Sequence, residues 1–144
     1  MKKSILILFV LVNLAFADFI RDDAKEIVID TSTNLMWQDD NQTIGDANRK
    51  NWSNSITHCE GLTLGGYSDW HLPNFNELYM LADRSTYNPS LNPEFNNVAS
   101  SYYWSATTNA SDTSVAWFVD FGNGDDDWYA KTNTYFVRCV RLAD

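Results

Sequence analysis

Asn123-Gly124-Asp125-Asp126-Asp127-Trp128-Tyr129 gathers more chemistry into one short stretch than any other part of this 144-residue chain. Three carboxylates and an amide at a turn offer hard oxygen ligands of the kind Ca²⁺ takes. Trp128 and Tyr129 offer flat apolar faces with polar edges, against which a sugar ring can stack while Asn and Asp bond its hydroxyls. The spacing is not that of the twelve-residue helix–loop–helix calcium loop, because no Glu closes it. The competing reading is a solvated acidic hairpin tip. Asn123, Asp125, Asp126, Asp127, Trp128 and Tyr129 are therefore the candidate ligand-binding residues. No cofactor is indicated beyond Ca²⁺ at this turn, and whether a metal binds stays open. Tyr102 and Trp104 also lie beside polar residues and extend the aromatic inventory.

The histidines, His58 and His71, are the other groups able to move a proton near neutral pH. His71 sits in Trp70-His71-Leu72-Pro73, a turn ahead of a helix, and is expected to hold structure by hydrogen bonding. His58 adjoins Cys59 on a short helix and is expected at the surface or half-buried. No nucleophile–base–acid spacing emerges, so no catalytic residue is assigned.

The cysteines are read through the start of the chain. Met1-Lys2-Lys3 is basic, Ser4 to Phe16 is apolar apart from Asn13, and Ala15-Phe16-Ala17 places small residues at a cleavage site. This is the layout of a secretory signal peptide, and its apolar run is too short to span a bilayer as a helix. Residues 1–17 are expected to be removed, leaving a single domain over 18–144 with no membrane insertion. Export implies an oxidising compartment, in which Cys59 and Cys139 are expected to form a disulfide. Their wide separation and the lack of a CxxC argue against a zinc site.

The formal charge is −9, and loss of the two leader lysines takes it to −11. Such a surface repels nucleic acid, anionic glycans and anionic membranes, and attracts cations. With 20% charged and 15% aromatic residues, the chain is neither disordered nor short of core material.

The elements that must position these groups follow from local pattern. Glu26–Asp30 and Asn34–Gln38 read as strands around a Thr31-Ser32-Thr33 turn. A short helix begins near Trp52, capped by Asn51 or Ser53, with Ile56, Cys59 and Leu62 inward. A second starts after Asn74, where Glu77 completes a capping box and Phe75, Leu78, Leu81 and Ala82 recur at helical spacing. An irregular Asn-rich stretch from Asn88 to Asn97 has the character of a surface binding loop. Strands follow at Tyr102–Thr107 and Val115–Phe121, the latter with Val115, Trp117, Val119 and Phe121 on one face. Gly122-Asn123-Gly124-Asp125 is a turn, Trp128–Lys131 a return strand, and Tyr135–Arg141 a last strand with Tyr135, Val137, Cys139 and Arg141 on one side. Helices segregated from strands define an α+β class.

Five phrases in order resemble one family. They are Val28-Ile29-Asp30-Thr31-Ser32-Thr33-Asn34-Leu35-Met36-Trp37-Gln38, Gly66-Tyr67-Ser68-Asp69-Trp70-His71-Leu72-Pro73-Asn74 with Glu77-Leu78, Asn92-Pro93-Glu94-Phe95, Tyr103-Trp104-Ser105, and Val137-Arg138-Cys139-Val140-Arg141. The chain resembles the C-terminal domain of the Legionella collagen-like protein (DUF1566). That resemblance implies a C-type lectin-like fold, with two short helices packed on antiparallel strands and long irregular loops. It also implies a bridge from the first helix to the final strand, matching Cys59 and Cys139. His71 stands where the family has Arg, Ser105-Ala106 stands where it often has two serines, and no collagen tract is present.

The expected function is a secreted, lectin-like, non-catalytic binding and adhesion module. Its partner would be a glycan (carbohydrate binding) or a surface protein, and not nucleic acid. It would act in the periplasm, at the surface or outside a bacterial cell. The alternative is a structural subunit of a surface or fimbria-like assembly. A third reading, from the Leu72-Pro73-x-x-x-Glu77 likeness to formylglycine-generating enzymes, is an oxidase that uses reactive cysteines.

Overall fold

Asp30 sets the first hairpin. Its carboxylate accepts from the Ser32 amide at 2.9 Å, the Ser32 hydroxyl at 2.6 Å and the Thr33 hydroxyl at 2.8 Å, and Asn34 closes the turn at φ +57°. Strands β2 (Ile27–Asp30) and β3 (Leu35–Gln38) thereby pair antiparallel, with Val28 opposite Trp37. The computed structural model describes residues 18–144; the expected leader, residues 1–17, lies outside the described residues. A strand not expected from sequence, β1 (Phe19–Asp22), adds to the outside of β2. Its alternation is weak, because Arg21 and Asp22 follow only two apolar residues. What holds it is distant: Phe19 meets Phe95 edge-to-face at 5.7 Å, and Arg21 reaches Asp39.

Helix α1 (Trp52–Glu60) is capped by Asn51, whose side chain accepts from the Asn54 amide at 2.9 Å. Helix α2 (Phe75–Leu81) has the full capping box: Asn74 accepts from the Glu77 amide, and Glu77 accepts from the Asn74 amide. Strands β4 (Tyr102–Thr108), β5 (Val115–Asp120) and β6 (Asp126–Ala130) form a second antiparallel sheet in that order. Strand β7 (Val140–Leu142) returns to β3, so the first sheet runs β1-β2-β3-β7. The protein is α+β, with two helices and two antiparallel sheets. No helix among the described residues is long and apolar enough to cross a membrane.

The β4-β5-β6 sheet stands between two apolar clusters. Ala116 and Phe118 of β5 turn toward Trp104, Tyr135, Cys59 and Cys139. Val119 of β5, with Phe121 beyond its end, turns toward Trp37, Leu78 and Tyr103. The expected alternation of Val115, Trp117, Val119 and Phe121 onto one face of β5 holds, and the opposite face is covered as well, as for a central strand between layers.

The expected strand over Tyr135–Arg141 is also corrected. Only Val140 onward belongs to a strand, while Tyr135 and Phe136 make isolated bridges to Lys50 and Tyr103. Every side chain from Tyr135 to Arg141 is buried, so strict alternation does not hold. Cys59 and Cys139 are joined and wholly buried, tying α1 to the approach to β7. Closing a loop of this length stabilises by about 4–5 kcal/mol in the chain-entropy picture.

Arg138 lies in this segment, and its burial demands partners. Its guanidinium donates to Asp39 Oδ1 at 2.8 Å, the Gln38 carbonyl at 2.6 Å and the Asn97 carbonyl at 2.6 Å, and stacks over Phe95 at 4.8 Å. Asp39 is equally buried and also accepts from Arg21 and from the backbone amides of Asn96 and Asn97. The Asn97 side chain donates to the Asp39 carbonyl at 2.6 Å. The second half of the Asn-rich stretch is thus pinned to the core, with Phe95 as its apolar anchor.

Candidate functional site

The β5–β6 turn is built by Asp120. Its Oδ1 accepts from the Gly122 amide at 2.7 Å, and its carbonyl accepts from the Gly124 amide at 2.7 Å. Gly124 has φ +83°, and a Cβ there would sit 2.9 Å from Cγ of Arg84, so a side chain would be strained and would force Arg84 to shift. Asn123 and Asp125 bond each other twice, at 2.8 and 3.0 Å, and Asp127 accepts from the Trp128 amide at 2.8 Å.

Register then sorts five of the six candidate residues, Asn123 staying in the turn. Phe118 faces Asp127, Trp117 faces Trp128, and Ala116 faces Tyr129 across β5 and β6. Alternation places Asp125, Asp127 and Tyr129 on the face that carries Phe118, Tyr102 and Trp104. Asp126 and Trp128 project from the other face, beside Trp117. The sequence neighbours Trp128 and Tyr129 therefore cannot grip one ligand between them, although each is about half exposed.

On the first face the aromatics form a continuous patch. Tyr102 lies 4.8 Å from Phe118 and 5.3 Å from Tyr135, and Tyr135 lies 4.6 Å from Trp104. Trp104 is fully buried, while Tyr102 and Tyr129 are 39% and 55% exposed, so the patch grades from core to surface. Burial, then the neighbouring Tyr129 and Tyr102 hydroxyls, push the Tyr135 hydroxyl pKa up. A cleft of about 230 Å³ opens at the exposed end, walled by Tyr102 and Phe118 and rimmed by Asp120, Asn123, Asp125 and Asp127, with Asp126 at the rim as well although it alternates to the opposite face.

No cation forms an ion pair with Asp120, Asp125, Asp126 or Asp127 among the described residues. Nor do three or more His, Cys, Asp or Glu side chains gather as a metal set among the described residues. Chemically the cleft offers an aromatic wall for stacking and a rim of acceptors for hydroxyl or ammonium groups.

Of these residues, Phe118, Asp120 and Tyr135 were not selected from sequence. The turn signal at Gly122–Asp125 held the information for two of them, because it fixes which β5 residues oppose Asp125 and Asp127. Tyr135 joins through a tertiary contact that no local pattern encodes.

His71 exchanges backbone bonds with Val140 at 2.9 Å in both directions, and its Nε2 lies 3.8 Å from Glu77. Its imidazole thus stands beside the α2 capping box while its backbone joins β7. His71, with the Asn74 amide, holds the Glu77 carboxyl below its ordinary pKa range against the effect of burial. His58 is half-buried, and burial, followed by Lys50, pushes its imidazole pKa down. Neither histidine lines the cleft.

Residues 26–141 match the family described as the Lcl C-terminal domain, and the chain belongs to that family. No curated protein was found to match it. The matched span includes α1, α2, the disulfide and the whole acidic–aromatic face, and begins after β1.

Proposed function

We propose that this member of the Lcl C-terminal domain family is an exported, C-type lectin-like binding module. It recognises a glycan or surface macromolecule through the Tyr102–Phe118–Tyr129 face and performs no catalysis. The lectin-like reading is supported by the Cys59–Cys139 bridge from the first helix toward the last strand. It is supported too by one sheet that unites the first strands with the last. A disulfide suits an oxidising compartment, in the periplasm, at the cell surface or outside the cell. The oxidase reading requires reactive thiols, and the bridge occupies both sulfurs.

One observation carries the proposal: half-exposed tyrosines border carboxylates that, among the described residues, have no counter-cation, in a domain where the fully buried Asp39 is paired with arginines. Stacking on Tyr102 or Tyr129, with hydroxyls bonded by Asn123, Asp125 and Asp127, suits a neutral or amino sugar. The high negative charge opposes a sulfated one. The surface-subunit alternative would extend the sheet through the free edge of β6, and the charges of Asp126 and Asp127 on that strand oppose such pairing.

A glycan array probed with the protein, with and without Ca²⁺, tests the reading. Selective binding to uncharged or amine-bearing glycans supports it, and Ca²⁺ dependence would add a metal at the rim. No binding to glycans or surface proteins in either condition contradicts it.

A further inference from the structure

We propose that Asn123–Gly124, at the tip of the β5–β6 turn, is a self-modifying site at which the asparagine converts to aspartate and isoaspartate. It is the only Asn-Gly pair in the chain. Glycine has no Cβ to shield its amide nitrogen, and Asn123 is exposed to the water that the reaction consumes. The reaction uses the turn alone and needs no ligand, so it stands apart from the glycan reading.

Three hydrogen bonds govern how fast this turn reacts. Asn123 Oδ1 accepts from the Asp125 amide at 3.0 Å. That bond closes a ring holding both Cγ of Asn123 and the Gly124 nitrogen, the two atoms that must join. It also stabilises the negative charge that gathers on Oδ1 during attack. Asn123 Nδ2 donates to Asp125 Oδ2 at 2.8 Å, which fixes the rotation of the side-chain amide. Against these, Gly124 is buried, and its amide donates to the Asp120 carbonyl at 2.7 Å. The amide must leave that carbonyl and lose its proton before it can attack. The electrophile is positioned and the nucleophile is restrained.

A solvent base takes the Gly124 amide proton, and the nitrogen bonds to Cγ of Asn123. The Cγ–Nδ2 bond breaks, and Nδ2 takes a proton from water and leaves as ammonia. The product is a five-membered imide. Water then opens it, at Cγ to give aspartate or at the main-chain carbonyl to give isoaspartate. One water is consumed and one ammonia released, with no change of oxidation state. Either product removes the Nδ2 donor and sets a new carboxylate beside Asp125, where like charges repel. Isoaspartate also lengthens the backbone by one atom just before Gly124, in the turn that packs against Arg84 and Ser90. Conversion therefore loosens the turn and adds negative charge to the rim of the cleft.

The test is peptide mapping by mass spectrometry of protein held at mildly alkaline pH, folded and in guanidinium chloride, with released ammonia measured in parallel. In the folded protein Asn123 is expected to convert ahead of every other asparagine, to both products. The unfolded chain is expected to convert about tenfold faster, the worth of the one hydrogen bond that must open. Hydrogen exchange at the Gly124 amide is expected to quicken in the converted protein. Asn123→Gln, whose longer side chain would have to close a larger ring, is expected to stay unmodified. An intact Asn123 in the folded protein after many unfolded half-lives, conversion first at another asparagine, or equal rates folded and unfolded would each overturn the proposal. So would ammonia release from Asn123→Gln at the wild-type rate.

Discussion

Two acidic regions of this domain have opposite surroundings. Asp39 is fully buried and accepts from two arginines and two backbone amides. Asp125, Asp126 and Asp127 are exposed and lack any ion-pair partner among the described residues. A charge removed from water must be paired, so Asp39 is committed to structure and fastens the Asn96–Asn97 backbone to Arg138. A charge left in water stabilises little and is free to meet a ligand. Acidity alone does not mark the site; unpaired acidity beside exposed aromatics does.

Loss of the bridge should have the largest effect. Cys139 adjoins Arg138, and its carbonyl accepts from the Gln38 amide at 3.0 Å. Cys59→Ala with Cys139→Ala is expected to lower unfolding free energy by about 4–5 kcal/mol in urea titration. Hydrogen exchange should quicken at Asn96 and Asn97 more than at the β5–β6 turn. Asp39→Ala leaves Arg138 buried with only carbonyl partners, and a loss of about 3–5 kcal/mol is expected by the same measurement. A loss below about 1 kcal/mol would place Asp39 with exposed pairs and erase the contrast.

Asn74→Ala removes half of the capping box, remote from both acidic regions. A cost of about 1 kcal/mol in thermal or urea unfolding is expected. That box was legible in the sequence because every atom of it lies within four residues. The Asp30 turn and the Asn51 cap were legible for the same reason. Arg138 was not: alternation over Tyr135–Arg141 left it off the face that was singled out, and its partner Asp39 lies 99 positions away. β1 escaped notice because Phe95, which Phe19 packs against, and Asp39, which Arg21 reaches, both lie well outside its local sequence. At the hairpin the residue types were readable and their faces were not, so Trp128 joined Tyr129 in the list while Phe118 and Asp120 were missed.

The smallest effect on stability belongs to the exposed acids. Asp125→Asn with Asp127→Asn is expected to change unfolding free energy by no more than about 0.5 kcal/mol. The same pair should abolish or strongly weaken ligand capture, reversing the order of effects expected at Asp39.

Binding by the Tyr129→Ala protein tests the central claim most directly, on the same glycan array as the wild type and with the unfolding midpoint measured in parallel. The account predicts lost binding at an unchanged midpoint, because Tyr129 is 55% exposed and serves the ligand rather than the fold. Undiminished binding to the same glycans would contradict it and move the site off this face.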